Sequence, residues 1–229
     1  MSAVGEALAA EAAVAEPHSR DRATAPSGGA AAPGVRRPSG EKAQRIIEAM
    51  RRSVARRGTA GSTFDHVSRE AGVSRGLLHY YFGTKEQLLV QAVRRECELR
   101  MEMLERQLAQ AQSADDFIGQ MAQNLQETVR DDPDFVTLLF ELFTLARRNG
   151  DIAAEYAELM RRTREQVAAM LATGQRDGIL SLHAEPQVVA EILFSLADGL
   201  ALRMLAEPER DFTATLEAGI ACARALLTD

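Results

Sequence analysis

The stretch Thr63–Lys85, TFDHVSREAGVSRGLLHYYFGTK, decides how this chain is read. Phe64, Val67 and Ala71 fall at i, i+3 and i+7, which gives a short helix one apolar face. Gly72 ends that helix, because glycine takes the left-handed conformation that stops a helix and redirects the chain at once. Ser74 caps a second helix, in which Leu78 and Phe82 point inward while Arg75, His79 and Tyr80 face out. A helix that presents short or planar polar side chains from its first two turns is one that the major groove of DNA admits.

The segment Ala71–Leu89, AGVSRGLLHYYFGTKEQLL, resembles the DNA-binding signature of the TetR (tetracycline-repressor-like) family of transcriptional regulators. With the helix before it, the likeness runs over roughly residues 41–95 without a gap. Two positions depart from the pattern: Ser68 stands where alanine is usual, and His79 where tyrosine is more frequent. The resemblance implies a repressor that binds a palindromic operator as a homodimer and is released by a small-molecule effector. Base contacts are expected from Arg75, Gly76, His79 and Tyr80, with Gly76 letting the backbone come close and Arg75 suited to a guanine O6/N7 pair. Thr63, Ser74, Tyr81 and Lys85 are expected to bond phosphates, which fixes register without reading sequence.

Charge agrees with this once the chain is divided. The net charge of −6 taken whole speaks against nucleic acid. Residues 41–95, however, hold 11 Lys/Arg against 5 Asp/Glu, and residues 96–229 hold 12 against 24. The basic surplus therefore sits on the motif, and the acidic remainder repels phosphates. Cys97 and Cys222 lack metal-ligand spacing and suit a reducing cytoplasm. No run of about 18 apolar residues predicts a membrane span. The opening MSAVGEALAAEAAVAEP, broken by Glu6, Glu11 and Glu16, does not read as a secretory signal, so a cytoplasmic protein is expected.

The rest of the chain predicts an all-α fold of about nine helices: a helix–turn–helix DNA-binding domain at 41–88 and a helical effector-binding and dimerisation domain at 89–229. Residues 1–40, rich in Ala, Pro, Gly and Ser, predict a disordered tail. The first helix is expected over Glu41–Arg57, ended by Gly58. Thr84 with Gln87 caps a helix from Lys85 toward Ala109; Ser113 with Asp116 caps the next, and Asp132 with Pro133 opens another. The helix from Lys85 begins on the DNA-binding module and ends in the second domain, so it links the two mechanically.

Asp134 to Gly150 is the most apolar stretch, and its Thr137, Glu141 and Thr144 form one polar stripe. That stripe reads either as one wall of a ligand cavity or as a narrow wet side. Met103, Met121, Phe140, Glu141, Thr144, Met160 and Met170 are the candidate pocket for a small apolar effector, joined by Met101 and Phe143. The last two helices, 186–206 and 210–227, carry apolar stripes wider than one neighbour needs and small residues such as Ala218 and Gly219. A second copy of the same pair is their expected partner, which the family likeness also implies. His66 and His183 have no companion ligands, so no metal is expected. No catalytic constellation or cofactor-binding loop is present in the sequence, and no enzyme activity is expected. The alternative reading is a helical dimerisation or scaffold protein without effector-controlled DNA binding.

Overall fold

A computed structural model describes residues 40–228; the proposed tail of 1–40 falls, apart from Gly40, outside the described residues. Nine helices and no strands occur among the described residues: α1 (Glu41–Gly61), α2 (Phe64–Ala71), α3 (Arg75–Phe82), α4 (Lys85–Leu108), α5 (Ala114–Asp131), α6 (Pro133–Ala146), α7 (Gly150–Arg176), α8 (Pro186–Ala206) and α9 (Thr213–Leu227). Their starts are chemically marked. The side chains of Thr63, Ser74, Thr84, Ser113, Asp132 and Asn149 each accept a backbone N–H of the first turn that follows. Each such cap contributes about 1 kcal/mol. Gly72, at φ 66° and ψ 37°, makes the left-handed corner between α2 and α3.

α1 does break at Gly58, with φ 67° and ψ 171°, but the chain regains one helical turn and runs on to Gly61. That kink is held from inside. Ser53 Oγ donates to Ser62 Oγ at 3.0 Å, and Ser62 Oγ donates to the Gly58 carbonyl at 2.9 Å, so two fully buried hydroxyls are satisfied.

Packing does not stop at the boundary between the two expected domains. One apolar cluster joins Ile46, Met50 and Val54 of α1, Phe64 and Val67 of α2, Leu78 and Phe82 of α3 and Leu88–Val90 of α4 to Leu138 and Leu142 of α6 and Ile152 of α7. A second cluster gathers Leu104 and Leu108 of α4, Phe117 and Ile118 of α5, Leu171 of α7, Val189 of α8 and Leu227 of α9. α4 thus runs from one core into the other. A small third cluster, Val129, Val136 and Ala201 with Phe140 against it, closes the space between α5, α6 and α8.

Where α1, α4 and α6 meet, Asp132 holds two guanidinium groups. It accepts from Arg51 of α1 and from Arg100 of α4 while its Oδ1 caps the Phe135 amide. Glu96 lies beside them, its carboxyl raised by burial and pulled back in part by Arg51 and Arg100. All three partners are mostly enclosed, with side-chain exposures of 20% for Arg51, 14% for Arg100 and 21% for Asp132. Removing one member of a buried ionic group strands the others. Asp132→Ala is therefore expected to lower the unfolding free energy by about 3 kcal/mol, measured by urea denaturation, whereas Asp131→Ala at the exposed neighbouring position should leave the denaturation midpoint essentially unchanged.

Candidate DNA-binding face and ligand cavity

α3 turns its polar side outward. Arg75, Gly76, His79 and Tyr80 are all exposed, Tyr80 at 61%. Leu78 and Phe82 anchor the helix in the first core, and half-buried Tyr81 rests against the same core, with its ring edge-on to Tyr80 at 5.2 Å. Gly76 has nothing within 4 Å of where a Cβ would stand, so the backbone there is open to a close approach. The structure thus brings the four expected base-contacting residues onto one exposed face.

The expected phosphate-binding residues flank it. Thr63 Oγ1 accepts from the His66 amide at 3.4 Å, and Ser74 Oγ accepts from the Leu77 amide at 3.3 Å. A hydroxyl that accepts in a cap still has its own O–H to donate, so both can cap a helix and bond a phosphate together. Lys85 is already engaged: Nζ donates to the Thr59 carbonyl at 3.0 Å. Two further ammonium N–H groups remain for a phosphate.

The basic surplus of this region is partly spent inside the protein. Arg52 Nε and Arg56 Nη2 both donate to Glu70 of α2, at 2.8 and 2.7 Å, which pins α1 to α2. Burial pushes the Glu70 carboxyl up, but the hydrogen bonds from Arg52 and Arg56 outweigh it and hold it below the ordinary value.

Thr59, just past the Gly58 kink, ties α1 to α6 and to the start of α4. Its amide donates to Glu141 Oε2 of α6 at 3.2 Å, its hydroxyl donates to the same oxygen, and its carbonyl takes the Lys85 bond. Glu141 is therefore spent on the first helix. Residues 140 and 141 lie about 100° apart around a helix, so Phe140 can face a cavity that Glu141 does not.

That cavity, about 180 Å³ in volume, opens where the three clusters meet, between α4, α5, α6, α7 and α8. Met121, Phe140 and Met160 line it, with Met101. Of the other candidates, Met103 is 44% exposed on the outside of α4, Thr144 is exposed on α6, Phe143 leans outward against Tyr156, and Met170 packs on the second core. Unforeseen walls come from Arg100, Phe135, Leu193, Phe194 and Ala201. The inner face of α8 carries three of these, and its over-wide apolar stripe was the available signal. Arg100 lies with its guanidinium carbon 4.1 Å from the Phe135 ring centroid and donates to Thr128 Oγ1 at 3.0 Å. Asp198 stands at the rim, where desolvation raises its carboxyl against the pull of Arg164. Cys97 also faces the cavity, and burial pushes its thiol up to about 12. Among the described residues no helix is long and apolar enough to cross a membrane.

Two short helices meeting at a left-handed glycine corner, set on a helical body with an apolar cavity, define a helix–turn–helix regulator. The chain belongs to the TetR family of bacterial transcriptional regulators: residues 46–92 match the profile of bacterial regulatory proteins of the tetR family, and residues 118–229 match that of the BetI-type transcriptional repressor C-terminal region. It is similar to the HTH-type transcriptional regulator PksA of Bacillus subtilis (strain 168), 26% identical over 175 residues that cover 74% of this chain and 82% of that one. Among solved structures, the transcriptional regulator FadR from Bacillus subtilis in complex with stearoyl-CoA shares the fold, with a TM-score of 0.67 at 16% identity over 79% of this chain and 96% of that one. So does a transcriptional regulator from Saccharomonospora viridis in complex with choline, with a TM-score of 0.62 at 22% identity over 80% and 93%.

The thiolate, not the thiol, is the reactive form, so the cavity-facing cysteine should be inert. In a Cys222→Ser variant treated with a disulfide reagent at pH 8, Cys97 is expected to stay unmodified in the native state and to react at once in denaturant; rapid native modification would contradict its burial.

Proposed function

We propose that this TetR-family regulator is a homodimeric repressor that reads a palindromic operator with α3 and leaves it when a compact effector enters the cavity. The observation that carries the reading is the exposed face of Arg75, Gly76, His79 and Tyr80, flanked by the hydroxyls of Thr63 and Ser74, by Tyr81 and by the Lys85 ammonium. Base edges are met by the first group and phosphates by the second. A single eight-residue helix reads only a few base pairs. Two copies about 34 Å apart, one turn of B-DNA, read both half-sites.

α8 and α9 supply the second copy's place. Val188, Ile192 and Leu202 are exposed on the side of α8 away from the cavity, at 50%, 39% and 49%. Ala218, Ala221 and Ala225 are exposed on α9, where small side chains let a partner helix come near. An apolar face of this kind on two long adjacent helices favours an isologous four-helix interface through 186–206 and 210–227.

The effector is read as compact. A cavity of about 150 Å³ accommodates benzene, and the 180 Å³ here is of that order, too small for a long acyl chain with its carrier. Its walls are mainly apolar, and the ligand meets Arg100 and Phe135 on one side and α8 on the other. Regulators that share the fold and were solved in complex with stearoyl-CoA and with choline support a ligand-binding role. A ligand that presses on Arg100 or Phe140 acts next to Asp132 and Glu141, the residues that hold α1.

Fluorescence anisotropy on an operator selected from random duplexes tests the DNA reading. Arg75→Ala is expected to cost about tenfold or more on the operator while leaving random duplex unchanged, and Lys85→Ala to weaken both alike with a shallower salt dependence. Equal losses on every sequence for both variants would contradict the roles. For the interface, Ile192→Asp with Leu202→Asp is expected to yield monomers by sedimentation and to reduce operator affinity at least tenfold; a dimer that survives both charges would place the interface elsewhere.

A further inference from the structure

Arg75 does not hang free at the start of α3. Its Nη1 donates to Asp65 of α2, at 3.3 Å to Oδ1 and 3.5 Å to Oδ2, and its Nε donates to His79 Nε2, one turn on, at 3.4 Å. We infer that Asp65 and His79 are positioning residues that present Arg75 to the DNA in one orientation and so set which base it reads. The inference rests on the proposed docking of α3.

The histidine is fixed first. Its Nδ1 lies 3.2 Å from the Gly83 carbonyl, which can only accept, so Nδ1 carries the hydrogen. Nε2 then presents a lone pair, which is what the Arg75 Nε–H requires. The ring also stands edge-on to Phe64, with centroids 4.7 Å apart and planes 76° apart, and Phe64 is itself buried in the first core. Core packing, a helix-end carbonyl and the arginine thus agree on a single tautomer and ring position.

A donor count follows for Arg75. Of five guanidinium N–H groups, His79 takes Nε–H and Asp65 takes one on Nη1, leaving one Nη1–H and both Nη2–H groups. A guanine is recognised by two parallel N–H groups directed at O6 and N7. The side-on pair that includes Nε is already used, so the N–H groups left for a base are those on Nη1 and Nη2. An unheld arginine in the same place could use either edge or swing to a phosphate.

The two partners act through orientation rather than stability. The Arg75 and Asp65 side chains are 60% and 58% exposed, and ion pairs of that exposure contribute little to folding. Asp65 also brings a negative charge close to the DNA-facing surface, which disfavours phosphate contact on every sequence equally. Its removal should therefore strengthen non-specific binding while weakening discrimination, a combination that a merely structural role does not produce.

The test uses the full-length protein. A duplex selected from a random pool is compared by fluorescence anisotropy with its single-base variants, for wild type, Arg75→Ala, Asp65→Asn and His79→Phe; phenylalanine keeps a ring against Phe64 but offers no acceptor. Wild type is expected to lose at least tenfold when one particular guanine is changed, and Arg75→Ala identifies that guanine. At the same position Asp65→Asn and His79→Phe are expected to discriminate less than threefold, with the other positions read as in wild type by Asp65→Asn and random duplex bound by that variant equally well or more tightly. Discrimination within twofold of wild type in both variants overturns the inference, as does a uniform loss on all sequences with a lowered melting temperature. A wild type that selects no sequence at all sinks the docking of α3 and this inference with it, whereas a selected guanine read normally by both variants sinks this inference alone.

Discussion

The carboxylate of Asp132 is the point on which the two parts of the molecule agree. It caps α6, and it accepts from Arg51 on the first helix and from Arg100 on the helix that leads away from the DNA-binding motif. Two cations share one acid there, with Glu96, its carboxyl raised by burial, beside them. Such a cluster tolerates few arrangements, because displacing any member leaves a charge without compensation in a poorly hydrated place. Arg100 is also a wall of the cavity. Whatever changes its position must either carry Asp132 and Arg51 with it or break the cluster, so a small local movement becomes a choice between two packings rather than a graded strain.

The Thr59 bridge gives the same coupling a second route. Glu141 reaches the kink of α1 from α6, and Lys85 reaches it from the first residue of α4. Three helices are thereby tied to the one turn at which α1 is interrupted. The shared apolar core around Leu88, Leu138 and Leu142 packs the motif against the start of α4 and against α6. A rigid head on a long helix suits a regulator whose two recognition helices need only change their separation.

Much of this was legible in the sequence, and the division is physical. Helix starts at Ser74, Thr84, Ser113 and Asp132, and the corner at Gly72, depend on residues within four positions of one another, and a linear reading finds them. The exposed face of α3 followed from the same periodicity. What sequence could not supply were partners far apart in the chain. Glu141 read as a polar residue on an apolar helix, open to either a cavity or solvent, and only the fold takes it to Thr59, 82 residues away. Arg51, Arg52 and Arg56 count toward the basic surplus of residues 41–95, yet they pair with Asp132 and Glu70 of the same chain. The sum of charges on the head was correct, but how much of it remains for DNA depended on the pairing.

α8 illustrates how one helix answers two demands. Leu193, Phe194, Ala197 and Ala201 face the cavity, while Val188, Ile192 and Leu202 face outward where a second copy is proposed to sit. A helix apolar on both sides has little polar surface left, which is why its pattern read as a stripe too wide for one neighbour. The consequence is mechanical. A ligand that fills the cavity presses on the back of the helix proposed to form the interface, and on Arg100 of α4. If the interface holds α8 still, the displacement falls on α4, and α4 begins at Lys85 on the DNA-binding face. In the proposed dimer a stiff interface would direct the ligand's effect toward the recognition helices, and a loosened one would let α8 yield instead.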